Sequence, residues 1–425
     1  MPRGRGRQRT TGSVEPMPIR RSLAMKSVGL VNQLSQKLGR GQGTVAGGRV
    51  GLAIDPHLLG DLTANKCVVL VSGTNGKTTT TALIASGLRT HFSNVATNDT
   101  GSNMPAGHVA ALVDEEEAQA VVLEVDENYV PRLLETSNPA VITLLNLSRD
   151  QLDRMSEVRM LAQRWRDALS RTGGIHVVAN ADDPLVVYAA FSASEVTWVA
   201  GGLVWKEDAA GCPQCSGHIV FGKNETWACD SCDLARPEPT WTMKGNLVHS
   251  PLGAVHLNVI LPGSFNRSNS LMALAAVTAT GAEITKAARA ISSVESVAGR
   301  FQHRRRPGQD ARLMLAKNPA GWAALLEVVE ESATPVVVSI NSRTADGADP
   351  SWLFDVDFSS LRNRVVIVTG DRWRDLSVRL HYGGVDHSRE ADPEMAITRA
   401  ANASDGTVDF IGNYTAFQEV TRARS

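Results

Sequence analysis

Residues 67–80 read Cys-Val-Val-Leu-Val-Ser-Gly-Thr-Asn-Gly-Lys-Thr-Thr-Thr. The stretch begins as an apolar strand, turns at Gly73 and Gly76, and continues into a predicted helix over 78–90. Glycines at the turn allow backbone conformations and a close approach that a Cβ atom would block. Successive N–H groups can then face phosphate oxygens, and the helix adds its positive N-terminal end. The stretch therefore predicts a phosphate-binding loop.

Two residues of this loop have expected roles in holding a nucleoside triphosphate. Lys77 would reach the terminal phosphates, and Thr78 would place its hydroxyl on Mg²⁺. The generic loop has glycine five residues before Gly76, where this chain has Val71, so we expect a shortened variant. The expected nucleotide-binding residues of the loop are Gly73, Thr74, Asn75, Gly76, Lys77, Thr78 and Thr79.

Further buried strands are predicted over 121–125, 141–145 and 175–179, with an Ala-rich helix over 266–280. Apolar strands that alternate with helices indicate a parallel sheet covered on both faces. Glu124 lies within one of these apolar runs, which is costly unless a cation accompanies it. With Asp126 and Glu127, it predicts a Mg²⁺ site at the carboxyl ends of the strands.

The length of 425 residues predicts more than one domain, and the composition supports ordinary globular cores. We expect a basic tail and helix over 1–45, an ATP-binding central domain over 46–300, and a smaller C-terminal α/β domain over 301–425. A net charge of −1 argues against a nucleic-acid-binding polycation. Neither a secretory signal nor a long apolar run is evident, which predicts a cytoplasmic protein.

The N-terminal region leaves two interpretations open. Apolar residues recur at helical spacing over 22–38, next to Lys and Arg side chains. Such a helix either packs on the following domain or contacts a membrane surface. The Gly-rich stretch 39–51 is predicted to be a connector.

Four of the five cysteines form two Cys-x2-Cys pairs within an insert over 203–237. Thirteen residues separate the pairs, and this spacing is typical of a zinc ribbon with a structural Zn²⁺. A redox pair is the weaker alternative, and nucleic-acid binding is disfavoured because basic residues in the insert are offset by acidic ones. Cys67 is predicted to be a core residue. The predicted zinc ligands are Cys212, Cys215, Cys229 and Cys232.

The loop and several further motifs resemble the Mur ligases and folylpolyglutamate synthases. The resemblance implies that Glu124 lies on a Mg²⁺-binding strand, that Asn266 contacts the nucleotide base, and that Arg300 belongs to a hinge at the nucleotide. The fold it implies is a Mur-ligase-like P-loop domain with a parallel sheet, an inserted zinc ribbon and a C-terminal α/β domain. The motifs that carry the resemblance are 73–79, 122–127, 146–153, 180–184, 263–269 and 299–300.

The chain also departs from the family pattern. Gln151 stands where a metal-linked histidine is usual, and Trp165 or its neighbours stand where Mur ligases have a carbamylated lysine. Residues 314–319 read Met-Leu-Ala-Lys-Asn-Pro in place of Asp-Tyr-Ala-His-Asn-Pro, and the region before the loop is too short for a UDP-sugar-binding domain. A stand-alone Mur-type or folylpolyglutamate-type amino-acid ligase is therefore the alternative function, not the main one.

The insert and the sequence Ser-Trp-Leu-Phe-Asp-Val-Asp-Phe over 351–358 resemble one branch, the ligase subunits of lipid II isoglutaminyl synthases. That resemblance implies ATP-dependent amidation of D-glutamate in lipid II through an acyl phosphate, at the cytoplasmic membrane face. No glutaminase nucleophile is evident in the chain, so ammonia would come from a class I glutaminase subunit (GatD-like). Lys77 and Asp355 are the catalytic candidates. Asp355 either orients the partner's histidine or acts where ammonia arrives, and Asp349, Asp357 and His303 are weaker candidates.

Overall fold

The computed structural model describes residues 19–37, 44–98, 102–149, 155–297, 299–347 and 349–422. Three helices precede the first strand. Ala24 and Val28 of the first helix are buried, as are Leu58 and Leu62 of the third. Gly48 of the second helix lies so close to the backbone of Ala106 that a side chain could not fit. The three helices are α1 (Ile19–Lys37), α2 (Thr44–Ile54) and α3 (Leu58–Thr63).

The predicted connector over 39–51 is thus wrong over its described part, because α2 begins at Thr44. Its glycines permit close packing between helices, which the pattern of glycines alone could not distinguish from a flexible linker.

A six-stranded parallel sheet forms the centre of the chain, in the order β2-β3-β1-β4-β5-β6. Alternate residues of the central strand supply two separate cores. Val69 and Val71 pack into one hydrophobic cluster, and Val68 and Leu70 into another. The strands are β1 (Cys67–Ser72), β2 (Val95–Thr97), β3 (Ala120–Val125), β4 (Val141–Leu144), β5 (His176–Asn180) and β6 (Glu195–Val199).

Helices cover both faces of this sheet, as expected for a parallel sheet with two apolar sides. They are α4 (Lys77–Leu88), α5 (Pro105–Leu112), α6 (Val130–Ser137), α7 (Met155–Arg171), α8 (Pro184–Ala190), α9 (Ser264–Ala279) and α10 (Ile284–Ser292). Because α9 returns to the sheet after the insert, it packs against α4 beside the phosphate loop.

The insert contains a two-stranded hairpin, β7 (Ile219–Phe221) and β8 (Trp227–Cys229). The Trp227 indole is buried and donates to the carbonyl of Ala181, which ties the insert to the end of β5. A small antiparallel sheet follows, composed of β9 (Thr242–Lys244), β10 (Leu247–Ser250) and β11 (Gly253–His256).

A second six-stranded sheet follows Arg300, in the order β12-β13-β17-β14-β15-β16. Only β12 is antiparallel to its neighbour, and the other pairs are parallel. The strands are β12 (Phe301–Arg306), β13 (Gln309–Leu315), β14 (Val336–Ser339), β15 (Val366–Thr369), β16 (Ser388–Arg389) and β17 (Thr407–Gly412). The helices are α11 (Pro319–Glu330), α12 (Trp373–Tyr382), α13 (Pro393–Ala401) and α14 (Tyr414–Arg422).

No helix in the described ranges is long and apolar enough to cross a bilayer.

Candidate functional site

The predicted phosphate loop lies between β1 and α4. Gly73 and Gly76 have φ angles of +146° and +86°, which side-chain-bearing residues rarely adopt. A Cβ atom at Gly76 would also lie 2.6 Å from Oδ1 of Asn269 on α9. The two glycines therefore meet both a conformational and a steric requirement.

Asn146, two residues after the end of β4, fixes the shape of this loop. Its Oδ1 accepts the N–H of Asn75 at 2.9 Å, and its Nδ2 donates to the Asn75 carbonyl at 3.0 Å. Its own carbonyl accepts the N–H of Thr74. The Thr74 hydroxyl in turn exchanges two hydrogen bonds with the backbone of Ser148. The end of β4 thus holds the loop in place from one side.

Lys77, the first residue of α4, is buried within the loop. Its Nζ donates to the carbonyls of Gly73 at 2.5 Å and Thr74 at 3.3 Å. It also forms an ion pair with Glu127 at 3.2 Å. A buried ammonium needs such partners, because an unpaired charge in the interior is costly. Glu127, which the sequence predicts only as part of an acidic cluster, therefore contacts the phosphate loop through Lys77.

Thr78 connects the loop to β3 and to the start of the second sheet. Its hydroxyl donates to Oε2 of Glu124 at 2.8 Å. The Arg300 guanidinium approaches the same hydroxyl oxygen at 3.2 and 3.3 Å. These three predicted cofactor-binding residues therefore meet at one point, where a hydroxyl and a carboxylate could ligate Mg²⁺.

The backbone of Glu124 is held from behind. Its N–H donates to Asn98 at 2.8 Å, and its carbonyl accepts hydrogen bonds from Asn98 and from Nε2 of His108. Burial lowers the pKa of His108 to about 4, and the hydrogen bond to the Glu124 carbonyl opposes that shift in part. His108 is therefore neutral at physiological pH and acts as a hydrogen-bond donor.

A cleft continues from the loop to the second sheet. Asn266, near the start of α9, is buried in its wall and donates to the Pro262 carbonyl at 2.7 Å. The opposite wall includes Met314, Ala316 and Lys317, which precede α11. Apolar side chains between these walls suit a planar base, whereas the loop end is polar. The residues that line the cleft include Leu261, Phe265, Asn269, Phe301 and Leu325.

Asp355 lies in a different cleft, at the end of a 3₁₀ turn over Ser351–Asp355. Its carboxylate is partly exposed and lies 4.0 Å from the Arg149 guanidinium. Asp208 of the insert also binds Arg149, because its carboxylate accepts hydrogen bonds from the backbone N–H and the Nε–H of Arg149. Ser148, the residue before Arg149, is hydrogen-bonded to Thr74 of the phosphate loop. The contact between Arg149 and Asp355 therefore connects Asp355 to the loop through two adjacent residues.

Aromatic packing fixes the turn that carries Asp355. The rings of Trp322 and Trp352 stack with centroids 6.1 Å apart, and Phe358 meets Trp322 edge-on at 5.8 Å. Trp352, Leu353 and Phe358 are buried, whereas Phe354 is 59% exposed. The turn therefore presents Phe354 and Asp355 outward from a rigid base.

The neighbouring acidic candidates have structural roles. Asp349 accepts the backbone N–H and the hydroxyl of Ser351, and Asp357 does the same for Ser359. These hydrogen bonds hold the pKa of each carboxyl below its usual range, with the backbone N–H as the largest cause. Both residues cap turns on either side of Asp355.

The basic run on β12 does not reach the nucleotide cleft. Arg304 and Arg306 both pair with Glu394 of α13, at 2.6 and 2.9 Å. His303 lies 3.5 Å from Asp310 on the adjacent strand. His303, Arg304 and Arg306 therefore have acidic partners on β13 and α13.

The departures from the family pattern are only partly visible. Gln151, with residues 150–154, lies outside the described residues. Trp165 is fully buried, and its indole donates to the Glu127 carbonyl at 2.9 Å. Asn318 caps α11 by accepting the Gly321 N–H, and Pro319 occupies the first turn. Trp165 and the Asn-Pro pair thus have local structural functions.

The four insert cysteines converge. Their sulfurs all lie within 4.8 Å of one another, with Cys212–Cys232 at 3.6 Å and Cys215–Cys229 at 3.5 Å. A tetrahedral zinc with ordinary Zn–S bonds requires sulfur separations of about 3.8 Å. Backbone N–H groups of Gly217 and Ser231 point at two of the sulfurs. The donor set is therefore compatible with zinc.

Sequence reasoning did not assign roles to Asn146, Arg149 and Asp208, which brace the loop and the Asp355 turn. Asn146 and Arg149 belong to the motif 146–153, so the sequence indicates that they lie near the site but not which residues they contact. The contact with Asp208 depends on how the insert folds back, and no spacing in the sequence indicates it.

Comparison with known proteins agrees with this architecture. Residues 71–277 match the Mur ligase middle domain, and residues 315–417 match the MurT ligase C-terminal domain. The chain is 28% identical over 393 residues to the lipid II isoglutaminyl synthase (glutamine-hydrolyzing) subunit MurT of Staphylococcus aureus, covering 87% of this chain and 89% of the relative. The corresponding subunit of Streptococcus pneumoniae is 26% identical, with 83% and 81% covered.

Solved structures share the fold. A pseudomurein peptide ligase type C from Methanothermus fervidus superposes with a TM-score of 0.63 at 18% identity, over 87% of this chain and 81% of that one. MurF from Acinetobacter baumannii gives 0.63 at 14% identity, over 88% and 79%. Together with the matches along the sequence, these similarities show that the chain belongs to the Mur ligase family, on its MurT branch.

Proposed function

We propose that this chain is the ligase subunit of an enzyme that amidates the α-carboxylate of D-glutamate in lipid II, giving D-isoglutamine with ATP and glutamine-derived ammonia. The observation that carries the proposal is similarity to glutamine-hydrolysing MurT subunits along 87% of the chain. The phosphate loop and the Asp355 turn both lie within the matched family segments.

The chemistry requires an activated carboxylate. An amine cannot displace oxide from a carboxylate, whereas phosphate leaves readily from an acyl phosphate. Lys77, the first residue of α4, would neutralise charge on the transferring phosphoryl group. Thr78 and Glu124 would hold Mg²⁺, which supplies further charge neutralisation there.

The cleft supplies the rest of the nucleotide site. Asn266, which lines the cleft, would contact the base, and Arg300 contacts Thr78 at the start of the second sheet. Because Arg300 directly precedes β12, movement of the second sheet would change the surroundings of the Mg²⁺ ligands. We propose that nucleotide binding and the arrangement of the two sheets are coupled through this residue.

The nitrogen would come from a partner subunit. We propose that Asp355 orients a histidine of a class I glutaminase, as the acid of a catalytic triad does. Three features support this role: its carboxylate is partly exposed, it lies outside the nucleotide cleft, and it is next to an exposed Phe354. Arg149 would position Asp355 and connect it to the loop.

The alternative function, a stand-alone amino-acid ligase, is not favoured. Matches to UDP-N-acetylmuramoylalanine–D-glutamate ligases cover 28–55% of this chain, against 83–87% for the MurT subunits.

The four cysteines would hold a structural Zn²⁺, because all four ligands come from the protein.

The test is co-expression with a class I glutaminase subunit, followed by incubation with lipid II, ATP and glutamine. We expect ATP consumption and the mass change that accompanies replacement of a carboxyl hydroxyl by an amino group. Lys77→Ala should abolish both while leaving the partner bound, and Lys286→Ala, which changes an exposed lysine on α10, is the matched control. Unchanged lipid II with intact ATP in the wild-type reaction would reject the proposed function.

A further inference from the structure

Helix α1 has two apolar faces, although only one packs against the protein. Ala24 and Val28 are fully buried against the following helices. Ile19, Leu23, Leu30 and Leu34, called the α1 stripe here, are 89, 57, 60 and 50% exposed. At about 100° per residue, these four side chains fall within about 60° of one another, opposite the buried face. The stripe therefore runs along one solvent-facing side of the helix, with about two turns between Leu23 and Leu30.

Four large apolar side chains in line on one exposed helix face are not explained by ordinary surface composition, in which apolar residues are scattered singly. The charge of the same region is equally uneven. The first 37 residues contain eight basic side chains and one acidic one, a net charge of +7, although the whole chain carries −1. The rest of the chain therefore carries −8. Helix α1 itself has no acidic residue.

We infer that the α1 stripe docks on an anionic lipid surface, which attracts the net positive charge of the first 37 residues. An amphipathic helix with basic flanks lies in the plane of a bilayer and buries its apolar face at the headgroup boundary. Each Lys or Arg near an anionic surface adds to the attraction. The inference depends on the stripe and the charge alone, and it stands or falls separately from the proposed function.

The same observations argue against two other occupants. A second copy of the helix would bury polar side chains, because the heptad positions between the stripe leucines hold Lys26 and Gln33 in one register and Arg20 and Ser27 in the other. It would also bring two segments of charge +7 together. A nucleic acid would use the charge but leave the four apolar side chains in water.

The test is sedimentation of the full chain with vesicles of phosphatidylcholine alone or with phosphatidylglycerol at about one third of the lipid. We expect binding to the anionic vesicles that weakens as salt is raised and little binding to the neutral ones. The double variant Leu23→Gln/Leu30→Gln should bind at least about tenfold more weakly, because glutamine keeps helix propensity but removes the apolar stripe. Lys26→Gln should weaken binding about fivefold at low salt.

The matched control is Met160→Gln/Val378→Gln, which alters exposed apolar residues on α7 and α12. It should bind like the wild type, and all variants should keep the wild-type melting temperature. Equal binding of the stripe variant and the wild type would overturn the inference. So would a wild-type dimer that the stripe variant abolishes, or binding to a nucleic acid but not to anionic vesicles. A wild type that binds anionic vesicles but does not amidate lipid II would contradict the proposed function and leave this inference intact.

Discussion

The hydroxyl of Thr78 donates to the carboxylate of Glu124 at 2.8 Å. Thr78 is in the first turn of α4, after the loop that follows β1, and Glu124 is on the neighbouring strand β3. Both lie at the carboxyl end of the sheet, where parallel strands form a ligand crevice. Thr78→Val keeps the shape of the side chain but removes this oxygen. We expect at least about a hundredfold loss of Mg²⁺-dependent turnover, because charge neutralisation at the phosphoryl group depends on the metal.

Thr78→Ser is the matched control, since it retains the hydroxyl and should retain most activity. The measurement is initial rate of ATP consumption against Mg²⁺ concentration. If the valine variant needs no more Mg²⁺ than the wild type and turns over at the same rate, Thr78 is not a metal ligand.

Asp355→Asn tests the role proposed for the second cleft. Glutamine-dependent amidation should fall at least about a hundredfold, since an amide cannot hold a triad histidine in its required tautomer. Amidation supplied with ammonium chloride should persist. Asp357→Asn is the neighbouring control, because Asp357 caps a turn at Ser359. Loss of the ammonia-supported reaction would place Asp355 on the ligase side of the chemistry instead.

Removal of the proposed zinc should unfold the insert locally, because a metal bound only in the folded state contributes its binding energy to folding. Metal analysis of freshly purified protein should give about one zinc per chain. Cys212→Ser should lose the metal, and Cys67→Ala, in β1, should keep it. Hydrogen exchange should then rise around Trp227. Absence of zinc from the wild type would remove the assignment.

Trp352→Ala should lower the free energy of unfolding by about 3–5 kcal/mol, the usual cost of truncating a buried tryptophan. The ring lies against Trp322 and carries the turn that ends at Asp355. Trp352→Phe should cost less than half as much and suits activity assays. Urea unfolding measures both variants, and an unchanged midpoint for the alanine variant would show that the stack does not anchor the turn.

Acid should destabilise the protein through His108. Burial lowers its folded-state pKa from 6.5 to about 4, so the folded state disfavours the protonated ring. The contribution is complete above pH 6.5 and is lost as the pH falls toward 4. Between pH 7.5 and pH 5 the expected loss is about 2 kcal/mol. Urea unfolding without nucleotide measures this loss of stability in the wild type and in His108→Gln. The loss should be smaller in the variant by about 2 kcal/mol, and an equal dependence of stability on pH in both proteins would contradict the prediction.

The sequence predicted the central strands because each is a short apolar run followed by a turn or a helix signal. It did not predict β2 and β6, which are short or flank the insert, nor the small sheet β9–β11, where alternation is weak. The glycines of 39–51 predict a linker, but glycine permits both chain flexibility and close packing between helices, and α2 uses it for packing. Local patterns cannot decide between these uses of glycine, since the choice depends on a distant segment.

The site divides in the same way. The loop residues were identifiable because phosphate binding imposes a local spacing on glycine, lysine and threonine. The ion pair of Lys77 with Glu127 and the contact of Arg149 with Asp355 join segments 50 or more positions apart. Such pairs depend on strand order and on the path of the insert, which composition and periodicity do not encode. The pairing of Arg304 on β12 with Glu394 on α13 has the same cause, because the two residues lie 90 positions apart.

The contact between Gly76 and Asn269 limits how this chain can vary. A side chain at position 76 would strike an amide on a helix that begins almost 190 positions later, and the backbone there would also be strained. A single substitution at Gly76 is therefore expected to be lost by selection, and a smaller residue at position 269 would relieve only the steric part. A side chain at position 76 thus requires a smaller residue at position 269 as well as a strained backbone, so two segments separated by the whole cysteine insert do not vary independently.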